Sequence, residues 1–156
     1  MRNILLIDDD TAFLKLLEEY VEKRFPGLHV VTCNDPIKCL ASITDDLDLM
    51  LVDLEMPGLD GAKVLSYAIS RGVDKNRIII LVPSSLRAQW RNELLSKFGM
   101  ESTLVDGDSF RASEKLGLRT NLFDTGGVVI ASHQFAAMRA AELERVPWDL
   151  AVIDEA

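Results

Sequence analysis

Cysteine is scarce in this chain. Cys33 and Cys39 are the only two, and they are neither adjacent nor in a C-x-x-C pattern. That leaves no disulfide framework to read, and both are expected as ordinary reduced thiols of a cytosolic protein. A basic surplus is also lacking: 17 Lys and Arg stand against 25 Asp and Glu, a net charge of −8. Affinity for nucleic-acid backbones comes largely from Lys and Arg, so nucleic acid is not an expected partner, although a local basic face remains compatible with the total. No apolar run reaches membrane-spanning length, and the first strand begins by Asn3 with no room before it for a signal peptide. The expectation is a soluble, cytoplasmic protein without a membrane partner. There is no internal repeat and no low-complexity linker. His133 has no Ser or Cys partner pattern and is expected to be a cap or surface residue.

What the chain does have is enough apolar material for a core, 48% of 156 residues, sufficient for one domain or one domain with an appendage. Apolar runs at 3–7 and 77–82 suit strands buried on both faces, and further strands are expected at 29–33, 47–52, 102–105, 128–132 and 150–153. Helical patterns lie between them. The first carries Phe13, Leu17, Tyr20, Val21 and Phe25 as its apolar positions, with Asp9, Asp10 or Thr11 as cap. The second starts at Asp35-Pro36, and the third runs from about Ala62 to Arg71 with Gly72 as its cap. The fourth has a serine cap after Pro83 and carries Leu86, Trp90, Leu94 and Phe98 before Gly99. A last helix is expected over 134–145, with Phe135, Met138, Ala141 and Leu143 partly inward. Residues 109–127 are weakly patterned and predict an irregular or partly helical insertion. Strand and helix alternate throughout. The expected fold is therefore α/β: a doubly wound, mostly parallel sheet with helices on both faces.

The chemistry gathers at strand ends. The run ending at Val52 stops in Asp53, and Glu55, Met56, Pro57 and Gly58 follow. The run Ile4-Leu5-Leu6-Ile7 stops in Asp8-Asp9-Asp10. In an open α/β sheet, ligands collect at the carboxyl ends of strands. If the two strands are neighbours, three or four carboxylates converge, and such a cluster repels itself unless a cation or proton sits in it. Mg²⁺ suits it, because it prefers hard oxygen ligands and needs only one or two carboxylates beside its waters. Helix capping accounts for one aspartate of the triplet but not for Asp53.

These residues carry a resemblance. I-L-L-I-D-D-D at 4–10 and L-V-D-L-E-M-P-G-L-D-G at 51–61 resemble the receiver domain of bacterial response regulators, over residues 1–82. The resemblance implies a flavodoxin-like fold with five parallel strands and a module of two-component phosphorelay signalling. It implies Asp53 as phosphoacceptor, and Mg²⁺ held by Asp8, Asp9, Asp53 and the backbone carbonyl of Glu55. A histidine kinase or phosphotransfer protein would be the partner. The pattern then departs from the family. Receivers end their fourth strand in Thr or Ser, whereas that place falls here at Val82 or Pro83, with Ser84 and Ser85 one or two residues late. Receivers end their fifth strand in Lys, and no strand here does.

A second resemblance occupies residues from about 78 to 156. L-V-P-S-S-L-R-A-Q-W-R-N-E-L-L-S-K-F-G at 81–99, V-D-G-D-S-F at 105–110, V-V-I-A-S at 128–132 and P-W-D-L-A-V-I-D-E-A at 147–156 resemble the Swi/Snf-type ATPases of superfamily 2 helicases, in that family's order. It implies a RecA-like second half, with Asp154 binding Mg²⁺ and Glu155 activating water. A helicase core also needs a G-x-x-x-x-G-K-[ST] loop to cradle phosphates, and the sequence contains none. The acidic motif Asp154-Glu155 is thus expected to be inactive and the chain not to be an ATPase. The two resemblances meet inside the strand 77–82 without a linker, giving a receiver-like half at 1–82, a helicase-lobe-like half at 83–156 and one continuous sheet. The start at one family and the stop at Ala156 favour an engineered chimera over a natural one. Arg87, Arg91 and Lys97 form a basic helix side, read as a solvated face. Trp90 and Trp148 are expected in packing, and Asp106 and Asp108 as loop caps. Two functions stand: a Mg²⁺-binding receiver-like module with an incomplete switch, and a chimeric α/β chain without native activity.

Overall fold

The structure is a computed structural model, and it describes residues 2–44, 46–53, 61–70, 77–118 and 120–154. The chain divides into two compact units, Met1–Val73 with Leu150–Ala156, and Asp74–Asp149. This division differs from the one drawn by the two resemblances, because the last strand returns to the first unit.

In the first unit the strands are β1 (Arg2–Ile7), β2 (Leu28–Cys33), β3 (Leu47–Val52) and β7 (Leu150–Asp154), with helices α1 (Thr11–Arg24), α2 (Pro36–Ala41) and α3 (Gly61–Ser70). The strand order is β2-β1-β3-β7 and every pairing is parallel. Every residue of β1 from Ile4 to Ile7 is buried, as a parallel strand covered on both faces requires. One face carries Ile4, Leu6 and Val30 against Leu14, Leu17 and Val21 of α1. On the other face Leu5, Ile7, Met50 and Val52 are completely buried, and there the Cys33 thiol meets Cys39 of α2. Both cysteines are buried and free. Burial, together with the Cys33 thiol, pushes the Cys39 thiol well above its ordinary range, which suits an inert core residue.

The buried side of α1 corrects the sequence expectation. Leu14 is the inward anchor, while Phe13, Tyr20 and Phe25 are exposed. The cap is Asp10, whose carboxylate accepts from the Phe13 N–H at 3.0 Å. Asp35 starts α2 as expected, its carbonyl accepting from the Cys39 N–H at 2.8 Å. The expected cap at Gly72 lies outside the described residues.

The second unit holds β4 (Ile78–Val82), β5 (Ser102–Leu104) and β6 (Val128–Ser132), in the order β4-β6-β5 and again parallel. Its helices are α4 (Arg87–Phe98), α5 (Gly107–Lys115), α6 (His133–Met138) and α7 (Ala140–Glu144). Residues Ser84–Leu86 form a single 3-10 turn before α4, with no side-chain cap, so the expected serine cap does not form. Trp90 and Leu94 are buried, and α4 stops at Gly99, whose φ of 62° is the left-handed conformation that glycine adopts without strain. Trp148 donates its indole N–H to the Leu143 carbonyl at 3.0 Å. The expected helix over 134–145 is two short helices that meet at Arg139 (φ −114°, ψ 31°). Met138 and Ala141 are exposed there, and Ala136 is the buried residue. Ser132 caps α6 by accepting from the Phe135 N–H at 3.1 Å, with His133 as the first helical residue.

Asp106 is the cap of α5, as expected, and its role is a full capping box. Its carboxylate accepts from the Ser109 N–H at 2.9 Å, and the Ser109 hydroxyl accepts from the Asp106 N–H at 2.9 Å. Arg87 reaches the same carboxylate at 3.4 Å. Replacing Asp106 by alanine is expected to cost about 1–2 kcal/mol, read as a lower denaturation midpoint. Asp106→Asn, which keeps the acceptor, should recover most of the loss. Asp108 is exposed and pairs with Arg111.

Candidate metal and phosphoacceptor site

Two strand ends build the site. In β1 and β3, Ile7 pairs with Val52, so the residues that follow them, Asp8 and Asp53, leave the sheet side by side. The Asp53 N–H still donates to the Ile7 carbonyl at 2.9 Å. From the other side the Asp8 N–H donates to the Cys33 carbonyl at 3.2 Å, tying Asp8 to the end of β2. Asp8 Oδ1 accepts from the Asp10 N–H at 2.9 Å, which fixes the turn into α1.

This geometry brings together Asp8, Asp9 and Asp53. One carboxylate oxygen from each lies within 4.8 Å of the others. Asp8 is buried, Asp9 exposed and Asp53 half-buried. Burial raises the Asp8 carboxyl above its ordinary value, and the Asp53 and Asp9 carboxylates push it further the same way, against the Asp10 N–H that favours the charge. Three hard oxygen donors at that spacing, one already resisting ionisation, fit a small divalent cation such as Mg²⁺. Glu55, the expected source of a carbonyl ligand, lies outside the described residues, as does Glu155.

Asp154 is not one of the three converging carboxylates. It ends β7, pairs in register with Val52 of β3, and is completely buried. The strand beside β3 is therefore β7. The strand over 77–82 is β4 of the other unit. The signal was present in the chain: three apolar runs end in aspartate, at Ile7-Asp8, Val52-Asp53 and Ile153-Asp154. Of the remaining candidates, His133 and Asp106 serve as helix start and cap in the second unit. No helix among the described residues is long and apolar enough to cross a membrane.

A family model described as response regulator receiver domain matches residues 4–105. That is more than half of the chain, and the chain belongs to the response regulator receiver domain family. It is also similar to the RNA polymerase-associated protein RapA of Yersinia enterocolitica serotype O:8, 45% identical over 83 residues, covering 51% of this chain and 8% of the relative. RapA of Yersinia pestis, strain Pestoides F, is 43% identical over 83 residues with the same coverage. The chain thus spans less than a tenth of the length of these curated relatives. Among solved structures, a response regulator receiver domain protein from Clostridium thermocellum superposes with a TM-score of 0.46 at 18% identity, covering 90% of this chain and 89% of that one. A CheY-like receiver domain protein from Methanospirillum hungatei JF-1 gives 0.40 at 17% identity, covering 92% and 95%.

Proposed function

We propose that the chain is a receiver-type module of two-component signalling that binds Mg²⁺ at Asp8, Asp9 and Asp53 and accepts a phosphoryl group on Asp53 with an incomplete switch. The observation that carries this reading is the convergence of three carboxylates within 4.8 Å at two neighbouring strand ends, in a chain of the receiver family. Asp8 and Asp9 would hold the cation, and the receiver resemblance implies the Glu55 carbonyl as a further ligand. Bound there, Mg²⁺ supplies positive charge against the oxygens of the transferring group. Asp53 would be the nucleophile: its carboxylate oxygen forms a bond to phosphorus as the bond from phosphorus to the donor's leaving atom breaks, an imidazole nitrogen of a phosphohistidine or the acetate oxygen of acetyl phosphate, and the leaving group departs with that electron pair. The donor would be a histidine kinase or phosphotransfer protein, which places the module in the cytoplasm. The switch is read as incomplete because no strand among the described residues ends in the family's lysine, and β4 ends at Val82, followed by Pro83, where a hydroxyl is expected. The test is intact-protein mass spectrometry after incubation with acetyl phosphate and Mg²⁺. One phosphoryl adduct is expected, even at low occupancy, and none in Asp53→Asn. Absence of any adduct, with no change in the protein's spectrum on adding Mg²⁺, would sink the reading.

A second reading is a chimeric or engineered α/β chain without native activity. The match of half the chain to RapA at 45% identity supports it, because two families then share one short chain. The sequence has no phosphate-cradling loop, so the helicase-like Asp154-Glu155 motif is not expected to turn over ATP. That version predicts a cooperative melt, no ATP hydrolysis and at most weak Mg²⁺ binding. Hydrolysis that Glu155→Gln abolishes would overturn it.

A further inference from the structure

We propose that the Asp74–Asp149 unit holds a second ligand site, a cleft beside α4 that takes a small zwitterion of the apolar α-amino acid class. It shares no residue with Asp8, Asp9 and Asp53 and stands independently of the receiver reading.

The cleft lies where β5 and β6 enter the sheet. Ser102 and Val128 pair in register there. Arg91 and Leu95, one turn apart on α4, line the same space as Glu101, Ser102, Gly126 and Gly127. The volume is about 430 Å³, inside the roughly 300–1,000 Å³ of small-molecule sites. Gly126 and Gly127 have φ of 76° and 75°, a region that favours glycine. A Cβ on either would meet nothing within 4 Å, so that wall is bare backbone next to open space.

The charges of the cleft match a zwitterion. Of the basic residues on α4, Arg87 pairs with Asp106 and Lys97 with Glu93. Arg91 makes no ion pair among the described residues, and neither does Glu101. A guanidinium holds a carboxylate through two parallel N–H···O bonds, and the carboxylate of Glu101 accepts from an ammonium. One small molecule carrying both groups satisfies both side chains, whereas an inorganic anion drawn to Arg91 is repelled by Glu101. Leu95 is 53% exposed and gives the apolar part of the ligand a surface to cover. A second, separate observation is the Ser102 hydroxyl. Its Oγ is buried with no hydrogen-bond partner among the described residues, a state that buried polar groups in folded chains avoid. Ser102 lines the cleft, and one staggered step about χ1 presents the hydroxyl to a bound carboxylate, which accepts from it.

The test is a titration of the isotope-labelled full chain with L-leucine, read from amide chemical shifts. Saturable shifts are expected at Ser102, Gly126 and Gly127. Inorganic phosphate should cause none, and isocaproate, which has the same body without the ammonium, should bind more weakly. Arg91→Ala should weaken L-leucine binding about tenfold or more. Glu101→Gln should weaken L-leucine and leave isocaproate unchanged. Ser102→Ala should bind L-leucine more weakly yet melt no lower than wild type, because it removes an unpartnered hydroxyl. Arg91 and Glu101 are exposed, so their variants keep the fold, which the same spectra verify. The proposal is overturned if L-leucine gives no saturable shift at these amides up to its solubility limit. It is equally overturned if phosphate or isocaproate binds there as tightly as L-leucine, or if any of the three variants keeps the wild-type L-leucine affinity.

Discussion

Phe123→Ala is expected to lower the stability of the Asp74–Asp149 unit by about 3–5 kcal/mol, the range for deleting a fully buried ring. Phe123 is among the largest completely buried side chains, although it belongs to the segment between α5 and β6. Its ring lies 5.7 Å from Phe110 and 6.2 Å from Phe135, and those two rings are 5.5 Å apart in an edge-on arrangement. Each such contact adds to area burial. Arg139 covers the outer side of Phe110 at 4.6 Å. Truncation would open a cavity bounded by two rings that stay in place on α5 and α6. The backbone cannot collapse to fill it, because the loop is pinned. The Phe123 N–H donates to Asn121 Oδ1 at 3.1 Å, and Asn121 Nδ2 donates to the Glu142 carbonyl at 2.6 Å. Tryptophan fluorescence reads the effect directly, since Trp90 and Trp148 both lie in this unit. In a urea titration the midpoint should fall, with Phe13→Ala on the exposed side of α1 as a control of small effect. A loss under about 1 kcal/mol would show that the ring cluster does not anchor the segment.

Phe123 also shows where the sequence stops being informative. Residues 116–127, after α5, carry no helical or strand period in the sequence, so nothing local marks one phenylalanine among polar neighbours as a core residue. Its burial comes from Phe110 and Phe135, which arrive from other elements. The central strands were legible because buried parallel strands are nearly continuous apolar runs, a pattern independent of their neighbours. All seven fall within a residue or two of the expected runs. Helix faces were harder. In α1, Leu14, Leu17 and Val21 are three and four apart, and Phe13, Leu17 and Tyr20 are four and three apart. Two interleaved apolar sets satisfy the same period, and only the β1 and β2 surface decides that the smaller set packs. The last helix breaks at Arg139 without glycine or proline, which leaves no local signal for the break.

The site divides the same way. Asp8, Asp9 and Asp53 were legible because each strand-terminal carboxylate sits in a motif. Their convergence needed only that β1 and β3 be neighbours, as they are. Asp154 was legible as a motif, but the place of its strand in the sheet was not. Strand order is set by how crossovers pack, and a strand nearly one hundred residues after β3 carries no local mark of its partner. The pairing of β3 with β7 puts Asp154 beside Val52, one residue short of Asp53.

Asp8→Asn is expected to make the protein more stable without divalent cation and less stable with it. Burial, then the neighbouring carboxylates, raise the folded-state Asp8 carboxyl from its ordinary value of 3.8. The folded state therefore holds a proton that the unfolded chain releases. The stability this contributes is fully present below the unfolded value and is lost as pH rises through the higher folded value. Above the raised folded value Asp8 is charged among like charges, and the Asn variant escapes that cost while keeping an oxygen for the Asp10 N–H. Its advantage over wild type should grow as pH rises from about 4 and level off near neutrality, at about 1 kcal/mol for a partly screened cluster. Mg²⁺ reverses the order. At a hundredfold excess over its dissociation constant a ligand contributes about 2.7 kcal/mol, or about 5–10 °C in a chain of this size, and the variant with one carboxylate fewer should gain much less. Thermal melts from pH 4 to 8, with EDTA and with Mg²⁺, check both arms. If Asp8→Asn is the less stable protein in EDTA at every pH, the carboxylates are not in electrostatic conflict, and a cation is not what the cluster is built to hold.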